Sequence, residues 1–262
     1  MKLAIVVPCY NQVETTKKSL ESLFRETDND YSVLLIDDCS TDGTKEYGQL
    51  LEKTHSQVRY IRNAQNYGVN RSWNIGIKAA KALNPEYIFI VNNDLLYTRD
   101  WEKPMIQALE NPKVGVVSPL STCGPIPRDW PMGARRAPNP AGYMGYLTIL
   151  GACFGSRASL YDDIGYFPEQ LRIYYGDNWI ALAAQAKGYK CGYVNSYIHH
   201  LMCQSTSKLN NSAIWPVEQP IFRQIGKKYG EDDACSVNNN FFKPFVPKGT
   251  PWQTRMNTWY KD

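Results

Sequence analysis

The first hundred residues alternate between short apolar runs and longer segments whose apolar residues recur at helical spacing. Runs of Val, Ile, Leu and aromatic residues predict buried strands at residues 3–7, 31–36, 58–61 and 87–91. Helical periodicity predicts helices between them at residues 13–25, 44–53 and 69–83. This alternation is typical of a parallel sheet covered by helices on both faces. We therefore predict an α/β fold with a mostly parallel central sheet.

The pattern is looser after residue 101. It predicts helices at residues 101–110, 158–164, 177–188 and 217–229, and strands at 114–117, 147–154 and 191–194. Residues 121–145 are rich in Pro and Gly, and a connection of this length in a compact domain is usually functional. A surface loop without a function is the alternative.

Polar residues follow directly after three of the predicted strands. Tyr10-Asn11 follows the first, Asp37-Asp38 the second and Asn92-Asn93-Asp94 the fourth. The carboxyl ends of parallel strands lie at one edge of the sheet, where open α/β proteins bind ligands. A carboxylate there, such as Asp94, suits a hard divalent cation, while an ordinary turn is the alternative. Asn11 is also a candidate N-cap for the first helix.

Composition narrows the function classes only slightly. Of 262 residues, 43% are apolar and 21% are charged, which favours a folded chain with a sizeable core over a disordered one. The net charge of +4 and the pI near 8.6 are compatible with an anionic substrate or a polyanionic acceptor.

Cysteine usage and the N-terminal residues bear on location. The seven cysteines are odd in number and include no CxxC pair, which favours reduced thiols over a disulfide framework or a zinc site. The apolar run before Pro8 is too short for a signal peptide, and no stretch approaches the length of a transmembrane helix. We therefore expect a soluble, cytoplasmic protein.

A series of segments follows in a characteristic order along residues 3–205. They are Val6-Val7-Pro8-Cys9-Tyr10-Asn11, the run from Asp37-Asp38 to Asp42-Gly43-Thr44, Asn66-Tyr67-Gly68 with Asn74-Ile75-Gly76, Asn92-Asn93-Asp94, Tyr174-Tyr175-Gly176-Asp177-Asn178-Trp179, and the late segment with His200. Taken in this order, the segments resemble family 2 glycosyltransferases of the GT-A fold. Asn92-Asn93-Asp94 resembles the Asp-x-Asp metal motif in the form found in rhamnosyltransferase-like members.

The resemblance implies a domain organisation and an activity. A GT-A domain would occupy residues 1–205, with a nucleotide-sugar-binding half at 1–98 and an acceptor and catalytic half at 99–205, followed by a C-terminal helix and extended tail at 206–262. The implied activity is inverting transfer of a sugar from a UDP- or dTDP-type donor to a hydroxyl acceptor, commonly a glycan or lipid-linked glycan.

The resemblance also implies roles for individual residues. Asp177 would be the catalytic base, and Asp94 with His200 would bind Mn²⁺ or Mg²⁺, with His199 as the substitute if the register differs by one. Asp38 would accept a hydrogen bond from the N3–H of a uracil or thymine base, although it could instead cap the following helix. The residues implied to contact the nucleotide sugar are Pro8, Tyr10, Asn11, Asp37, Asp38, Asn66, Gly68, Asn74, Asn92 and Asn93.

Three arginines of the long connection, Arg128, Arg135 and Arg136, could bind an acceptor phosphate or the departing diphosphate, or could simply be solvated. Two departures from the family pattern stand out. Gly176 precedes Asp177 where many members have Glu, and Asn92 coordinates metal more weakly than a carboxylate would.

Other functions remain open at this point. Basic and aromatic residues such as Arg128, Trp130 and Trp252 suit transfer to hydroxylated bases of viral DNA. A non-catalytic sugar-nucleotide or carbohydrate binder could share the fold, although the joint presence of Asp94 and Asp177 disfavours it. A nucleotidyltransferase would normally carry a Gly-rich phosphate loop after the first strand, which is absent here.

Overall fold

The computed structural model describes residues 2–121, 143–145, 149–201 and 211–229. The strands are β1 Leu3–Cys9, β2 Tyr31–Asp37, β3 Val58–Arg62, β4 Tyr87–Val91, β5 Leu95–Tyr97, β6 Val114–Ser121, β7 Tyr143–Gly145, β8 Cys153–Arg157 and β9 Lys190–His200. They form one sheet with the order β3-β2-β1-β4-β8-β6-β9-β5, and β7 pairs with β9. The helices are α1 Val13–Glu26, α2 Thr44–Thr54, α3 Val69–Lys81, α4 Lys103–Leu109, α5 Leu160–Ile164, α6 Gly176–Ala186 and α7 Asn211–Gly226.

The N-terminal half has the predicted parallel arrangement. Strand β1 pairs in parallel with β2 and β4, and β2 pairs in parallel with β3. Strand β1 runs through Pro8 to Cys9 rather than stopping before the proline. Pairing with β4 ends at Val6, so Pro8 lies beside β2 only and its missing N–H costs no ladder hydrogen bond to β4. The α/β fold is confirmed.

The second half of the sheet is mixed. Strand β8 is antiparallel to β4 and β6, β9 is parallel to β6, and β5 and β7 pair antiparallel with β9. The predicted strand at 147–154 was placed too early: the backbone N–H of Cys153 bonds the carbonyl of Leu150 at 3.0 Å, in a turn before β8. Ile149 and Ala152 are apolar and buried, and this apolar sequence resembles that of a strand.

Two further strand assignments differ from prediction. Strand β5 follows Asp94 at once and was missed, because three residues carry too little periodicity to be recognised. Strand β9 extends from Lys190 to His200, so both histidines lie within the strand rather than after it.

The core has one layer on each face of the sheet. In β1, Leu3, Ile5 and Val7 face one layer while Ala4 and Val6 face the other, as strand alternation requires. Helices α1, α2 and α4 contribute to the first layer, and α3, α6 and α7 to the second. Both layers bury large side chains, Trp101 and Phe89 in the first and Phe154 and Phe167 in the second.

The C-terminal helix α7 packs on the second layer. It spans Asn211–Gly226, begins earlier than predicted and continues as a 3₁₀ turn at Lys227–Tyr229. Phe222 is fully buried, which anchors the helix to the domain. Within the described ranges, no helix combines the length and the apolar character needed to cross a membrane.

Candidate active site

The loops after β1 and β2 are tied together at the carboxyl edge of the sheet. The N–H of Asn11 donates to Ser40 Oγ at 2.8 Å, and the N–H of Thr41 donates to Asn11 Oδ1 at 2.7 Å. The predicted capping of α1 by Asn11 is wrong: no side chain caps the helix in the usual way, and the N–H of Val13 donates to Asp42 of the neighbouring loop at 3.0 Å. Asn11 therefore links the loop after β1 to the loop after β2 and does not cap α1.

Asp37 is fully buried and bound by protein donors. Its carboxylate accepts hydrogen bonds from the N–H of Ser40 at 2.8 Å and from the Tyr60 hydroxyl at 2.5 Å, and it pairs with the Arg62 guanidinium. Burial and the neighbouring Asp37 raise the pKa of Tyr60 well above its ordinary value. These contacts make Asp37 a brace between β2, β3 and the loop that follows β2.

Asp38 organises the loop between β3 and α3. Its carboxylate accepts three hydrogen bonds, each 2.8 Å long, from Asn63 Nδ2 and from the N–H groups of Tyr67 and Gly68. A carboxylate has about four lone-pair directions, so acceptor capacity remains for one further donor. Gly68 adopts φ 89°, a conformation that favours glycine. Recognition of a nucleotide base by Asp38 stays a prediction.

Replacing Asp38 with Ala should therefore lower the stability of the fold and, if the predicted base contact exists, weaken the binding of the nucleotide. Because three donors lose their acceptor, we expect the free energy of unfolding to fall by about 1–3 kcal/mol. The dissociation constant for UDP should rise more than turnover at saturating donor falls, since base contacts are shared by ground and transition states. Calorimetric titration with UDP measures the affinity. If UDP affinity is unchanged in a folded variant, Asp38 has no role in donor binding.

Three asparagines hold the segment that leads to Asp177. Asn66 and Asn74 were predicted as site residues, and Asn70 lies between them. Asn74 is buried, donates to the carbonyl of Phe167 at 2.8 Å and accepts from its N–H at 2.9 Å. Asn70 donates to the carbonyl of Leu171 at 2.6 Å, and Arg172 Nη2 donates to Asn66 Oδ1 at 3.1 Å. Helix α3 and the loop before it thus connect the predicted donor half to the catalytic half.

The Asn-Asn-Asp motif uses its three residues differently. Asn92 is partly exposed and its N–H donates to the carbonyl of Ala152 at 2.8 Å. Asn93 is buried, and its Nδ2 donates to Thr16 Oγ1 at 2.8 Å. Asp94 is also buried, with an exposed fraction of 6%. Of the two asparagines, only Asn92 therefore presents its side chain at the accessible edge.

Asp94 meets His200 in the sheet. Leu95 of β5 pairs with His200 of β9, and this register brings Asp94 Oδ1 to 3.1 Å from His200 Nε2. His199 makes an edge-on ring contact with Tyr197 instead, with centroids 4.8 Å apart. Neighbouring residues of a strand point to opposite faces, so only one of the two histidines can reach Asp94. The structure brings His200, not His199, to the metal motif.

The pair fits a divalent cation. Asp94 Oδ1 is buried and no described donor makes a well-aligned hydrogen bond to it. Adjacent ligands of an octahedral ion lie about 3 Å apart when each is about 2.1 Å from the metal, which is close to the observed 3.1 Å. Oxygen and imidazole donors together suit Mn²⁺ better than Mg²⁺. Among the described residues, no group of three or more His, Cys, Asp or Glu side chains is placed to hold a metal.

Asp177 lies in the first turn of α6. The helix begins at Gly176, after Tyr175 in the left-handed conformation with φ 64°. A Cβ on Gly176 would come within 2.1 Å of Asn70 Oδ1, so glycine is required at this position by packing. Burial raises the pKa of the Asp177 carboxyl, although the backbone N–H groups of Asn178 and Gly151 act against this shift.

A tight turn separates Asp177 from the metal motif. The Gly151 α-carbon faces the Asp177 carboxylate so closely that an added Cβ would lie 2.8 Å from Oδ2, and the next residue, Ala152, accepts the hydrogen bond from the N–H of Asn92. The structure thus brings Asp177 and the Asn92–Asp94 segment to opposite sides of one turn. The predicted contacts Arg128, Arg135 and Arg136 lie outside the described residues.

Comparison with known proteins identifies the family. The model of "Glycosyl transferase family 2" matches residues 4–165, more than half of the 262 residues. The chain belongs to glycosyl transferase family 2. The matched region runs from the second residue of β1 to just after α5 and includes the Asn-Asn-Asp motif, but it ends before Asp177 and His200.

Curated relatives of this glycosyl transferase family 2 chain match less than half of its length. An uncharacterized glycosyltransferase from Haemophilus influenzae is 28% identical over 46% of this chain and 39% of its own length. The GalNAc(5)-diNAcBac-PP-undecaprenol beta-1,3-glucosyltransferase of Campylobacter jejuni is 30% identical over 36% of this chain and 29% of its own length. The chain thus matches less than half the length of these curated relatives.

Among solved structures, the mannosyltransferase PcManGT from Pyrobaculum calidifontis, in complex with GDP-Man and Mn²⁺, has a TM-score of 0.65 and 21% identity, and the match covers 88% of this chain and 64% of that chain. At this identity the similarity establishes the fold, which is GT-A, as predicted.

Several residues that shape the site were missed in the sequence. Arg62 pairs with Asp37 at the end of β2, Asn63 donates to Asp38, and Asn70 holds the segment before Asp177. Arg62 and Asn63 directly follow the third predicted strand, at the same sheet edge as the recognised clusters, and that position was the available signal. Asn70 offers no comparable signal, because its partner is a hundred positions further along the chain.

Proposed function

We propose that the protein is an inverting glycosyltransferase that moves a sugar from a nucleoside diphosphate donor to a hydroxyl acceptor. The observation that carries the proposal is the placement of the Asn92–Asp94 segment, whose Asp94 pairs with His200, and of Asp177 on either side of the Gly151-Ala152 turn. A donor diphosphate bound at the metal motif would have its sugar directed towards Asp177. Membership of glycosyl transferase family 2 supports the same reaction class.

Asp177 acts in this scheme as the general base. The acceptor oxygen attacks the anomeric carbon of the sugar while Asp177 takes the hydroxyl proton, and the bond from that carbon to the diphosphate oxygen breaks. One displacement inverts the configuration at the anomeric carbon. The Asn178 and Gly151 N–H groups orient the carboxylate, and burial raises its pKa above the ordinary aspartate value, which makes it a stronger base.

Asp94 and His200 would hold Mn²⁺ or Mg²⁺. The cation would stabilise the negative charge on the departing nucleoside diphosphate. The interlocked loops after β1, β2 and β3 would surround the nucleoside, because Asn11, Asp38 and Gly68 lie at the same sheet edge. We assign the donor as UDP- or dTDP-linked, with the base read by Asp38.

A glycan or lipid-linked glycan is the favoured acceptor, and location in the cytoplasm is part of this proposal. The name of the Campylobacter relative includes an undecaprenol-linked glycan, which supports this acceptor class. Transfer to hydroxylated DNA bases depended on Arg128, Trp130 and the tail, all outside the described residues. Neither relative described above is named for DNA.

Ligand-dependent stability tests donor and metal together. The melting temperature of the full chain should be measured with UDP, dTDP and GDP sugars, each with Mn²⁺ or with EDTA. A donor at 100 times its dissociation constant should stabilise the chain by about 2.7 kcal/mol, and EDTA should remove most of the effect. Stabilisation without release of nucleoside diphosphate in the presence of acceptor glycans would indicate a non-catalytic binder, and no stabilisation by any nucleotide sugar would reject the proposal.

A further inference from the structure

A buried glutamate of the C-terminal helix binds the backbone just before Asp177. Glu218 of α7 is 3% exposed. Its Oε1 accepts from the N–H of Arg172 at 2.9 Å, its Oε2 accepts from the N–H of Tyr174 at 2.8 Å, and both oxygens lie within 3.3 Å of the N–H of Ile173. Three consecutive N–H groups thus converge on one carboxylate.

The same helix makes a second contact with this segment. The ring of Phe222, one turn after Glu218, stacks on the ring of Tyr175 with centroids 4.7 Å apart and planes within 12°. Tyr175 is the left-handed residue immediately before α6. Helix α7 therefore contacts residues 172–175 continuously, up to the point where the helix bearing Asp177 begins.

Helix α3 holds the segment from the other side. Asn70 donates to the carbonyl of Leu171, the N–H of Asn70 donates to the carbonyl of Arg172 at 3.4 Å, and Gly176 packs against Asn70 and Trp73. The carbonyls of the segment are thus bound by α3 and its N–H groups by Glu218. A segment without regular hydrogen bonding obtains its partners from two helices.

We propose that Glu218 is a positioning residue for Asp177, and that α7 is an essential part of the active site. The inference rests on the proposed role of Asp177 as the base. Buried N–H groups need acceptors, and a carboxylate supplies stronger hydrogen bonds than a neutral group. The segment has one conformation only while Glu218 is present, and that conformation sets where α6 starts and where the Asp177 carboxylate points.

The position of Glu218 in the sequence is consistent with this role. Glu218 and Phe222 are four residues apart on one face of α7, so a charged residue takes a core-facing position of the helix. A carboxylate at such a position is rarely buried without partners.

The test compares Glu218→Ala and Glu218→Gln with a matched control, Glu102→Ala. Glu102 is also a fully buried glutamate that accepts from loop groups, the N–H of Asp28 and the Asn29 amide, but it contacts none of the site residues named above. Amide hydrogen exchange in the full chain should show faster exchange at residues 172–177 in Glu218→Ala and not in Glu102→Ala. Glu218→Gln keeps one acceptor oxygen and should give an intermediate result.

The second measurement is specific to positioning. The Asp177 carboxyl should be titrated by carbon NMR, and its pKa should move towards the ordinary aspartate value in Glu218→Ala, because a loosened segment admits water to the carboxylate. It should not move in Glu102→Ala. If Glu218 had only a structural role, Glu218→Ala and Glu102→Ala would both lower stability, and the pKa of Asp177 would be unchanged in both.

Turnover supplies the third measurement, with the donor found by the stability screen. Glu218→Ala should lower kcat by about 10²-fold, the cost of a misplacement near 1 Å, while the dissociation constant for UDP stays within about twofold. Adding Glu218→Ala to Asp177→Asn should cost little more, since residues that act as a unit are not additive.

The outcomes are separable. An unchanged Asp177 titration in folded Glu218→Ala and Glu218→Gln would overturn the inference, whether or not exchange at residues 172–177 is faster, as would a full additional loss of turnover in the double variant. If Glu218→Ala does not fold, Glu218→Gln carries the same three measurements. If Asp177→Asn retains turnover, the proposed base is wrong, whatever exchange shows for residues 172–177.

Discussion

Replacing Asp177 with asparagine is expected to lower turnover by roughly 10²–10⁴-fold, the usual contribution of general base catalysis. Asparagine has the size of aspartate, and its single side-chain oxygen can still accept from the N–H of Asn178. Burial raises the pKa of the native carboxyl, so its ionised form disfavours folding, and the neutral amide should leave the free energy of unfolding unchanged or slightly higher. Donor binding should be near normal.

The pH dependence of the parent enzyme follows from the same group. As the proposed base, Asp177 acts only when ionised, so turnover should fall as pH drops through its raised pKa, at a pH above the ordinary aspartate value near 3.9. The stability associated with the protonated carboxyl has the opposite trend and is lost as pH rises through the folded-state pKa. A profile of kcat against pH at saturating donor, with a melting curve at each pH, separates the two effects.

A matched variant gives this prediction its control. Asp163→Asn alters an exposed carboxylate that accepts a hydrogen bond from the Tyr189 hydroxyl at 2.6 Å, and it should leave turnover unchanged. Retention of more than about a tenth of parental turnover by Asp177→Asn, with transfer as the slow step, would exclude Asp177 as the base.

Replacing Asp94 with alanine should remove the metal dependence of donor binding. Charge stabilisation by a bound cation is worth several kcal/mol in the transition state, so turnover should fall by at least about 10²-fold. The fold should persist, because the β5 register includes the hydrogen bond from the N–H of Leu201 to the Asp94 carbonyl, which the substitution retains. UDP affinity measured with Mn²⁺ and with EDTA should become the same in the variant.

The two adjacent histidines offer a paired control. His200→Ala should weaken the Mn²⁺-dependent part of UDP binding, since His200 Nε2 lies 3.1 Å from Asp94 Oδ1. His199→Ala should leave it intact, because His199 contacts Tyr197 instead. Equal effects of the two variants, or unchanged metal dependence in Asp94→Ala, would mean that Asp94 and His200 do not form the metal site.

The sequence by itself determined the parallel half of the sheet and the sheet edge at which the candidate site residues lie. Apolar runs and helical periodicity are local properties, so β1 to β4 and α1 to α3 were predicted with errors of a few residues at most. The clusters at Asn11, Asp38 and Asp94 follow strands of one parallel sheet, so their placement at one edge followed from the topology. The family resemblance was likewise confirmed, since its motifs are sequence patterns.

Tertiary structure alone decided which groups each of these side chains meets. Asp38 holds the loop at Tyr67 and Gly68, and the β5–β9 register selects His200 over His199. Glu218 reaches the segment before Asp177 across more than forty positions. The partner of a polar side chain depends on how distant parts of the chain pack together. Hydrophobic periodicity is a local property and therefore cannot predict that partner. The sequence therefore indicated where the site lies, and packing decided how its residues are held.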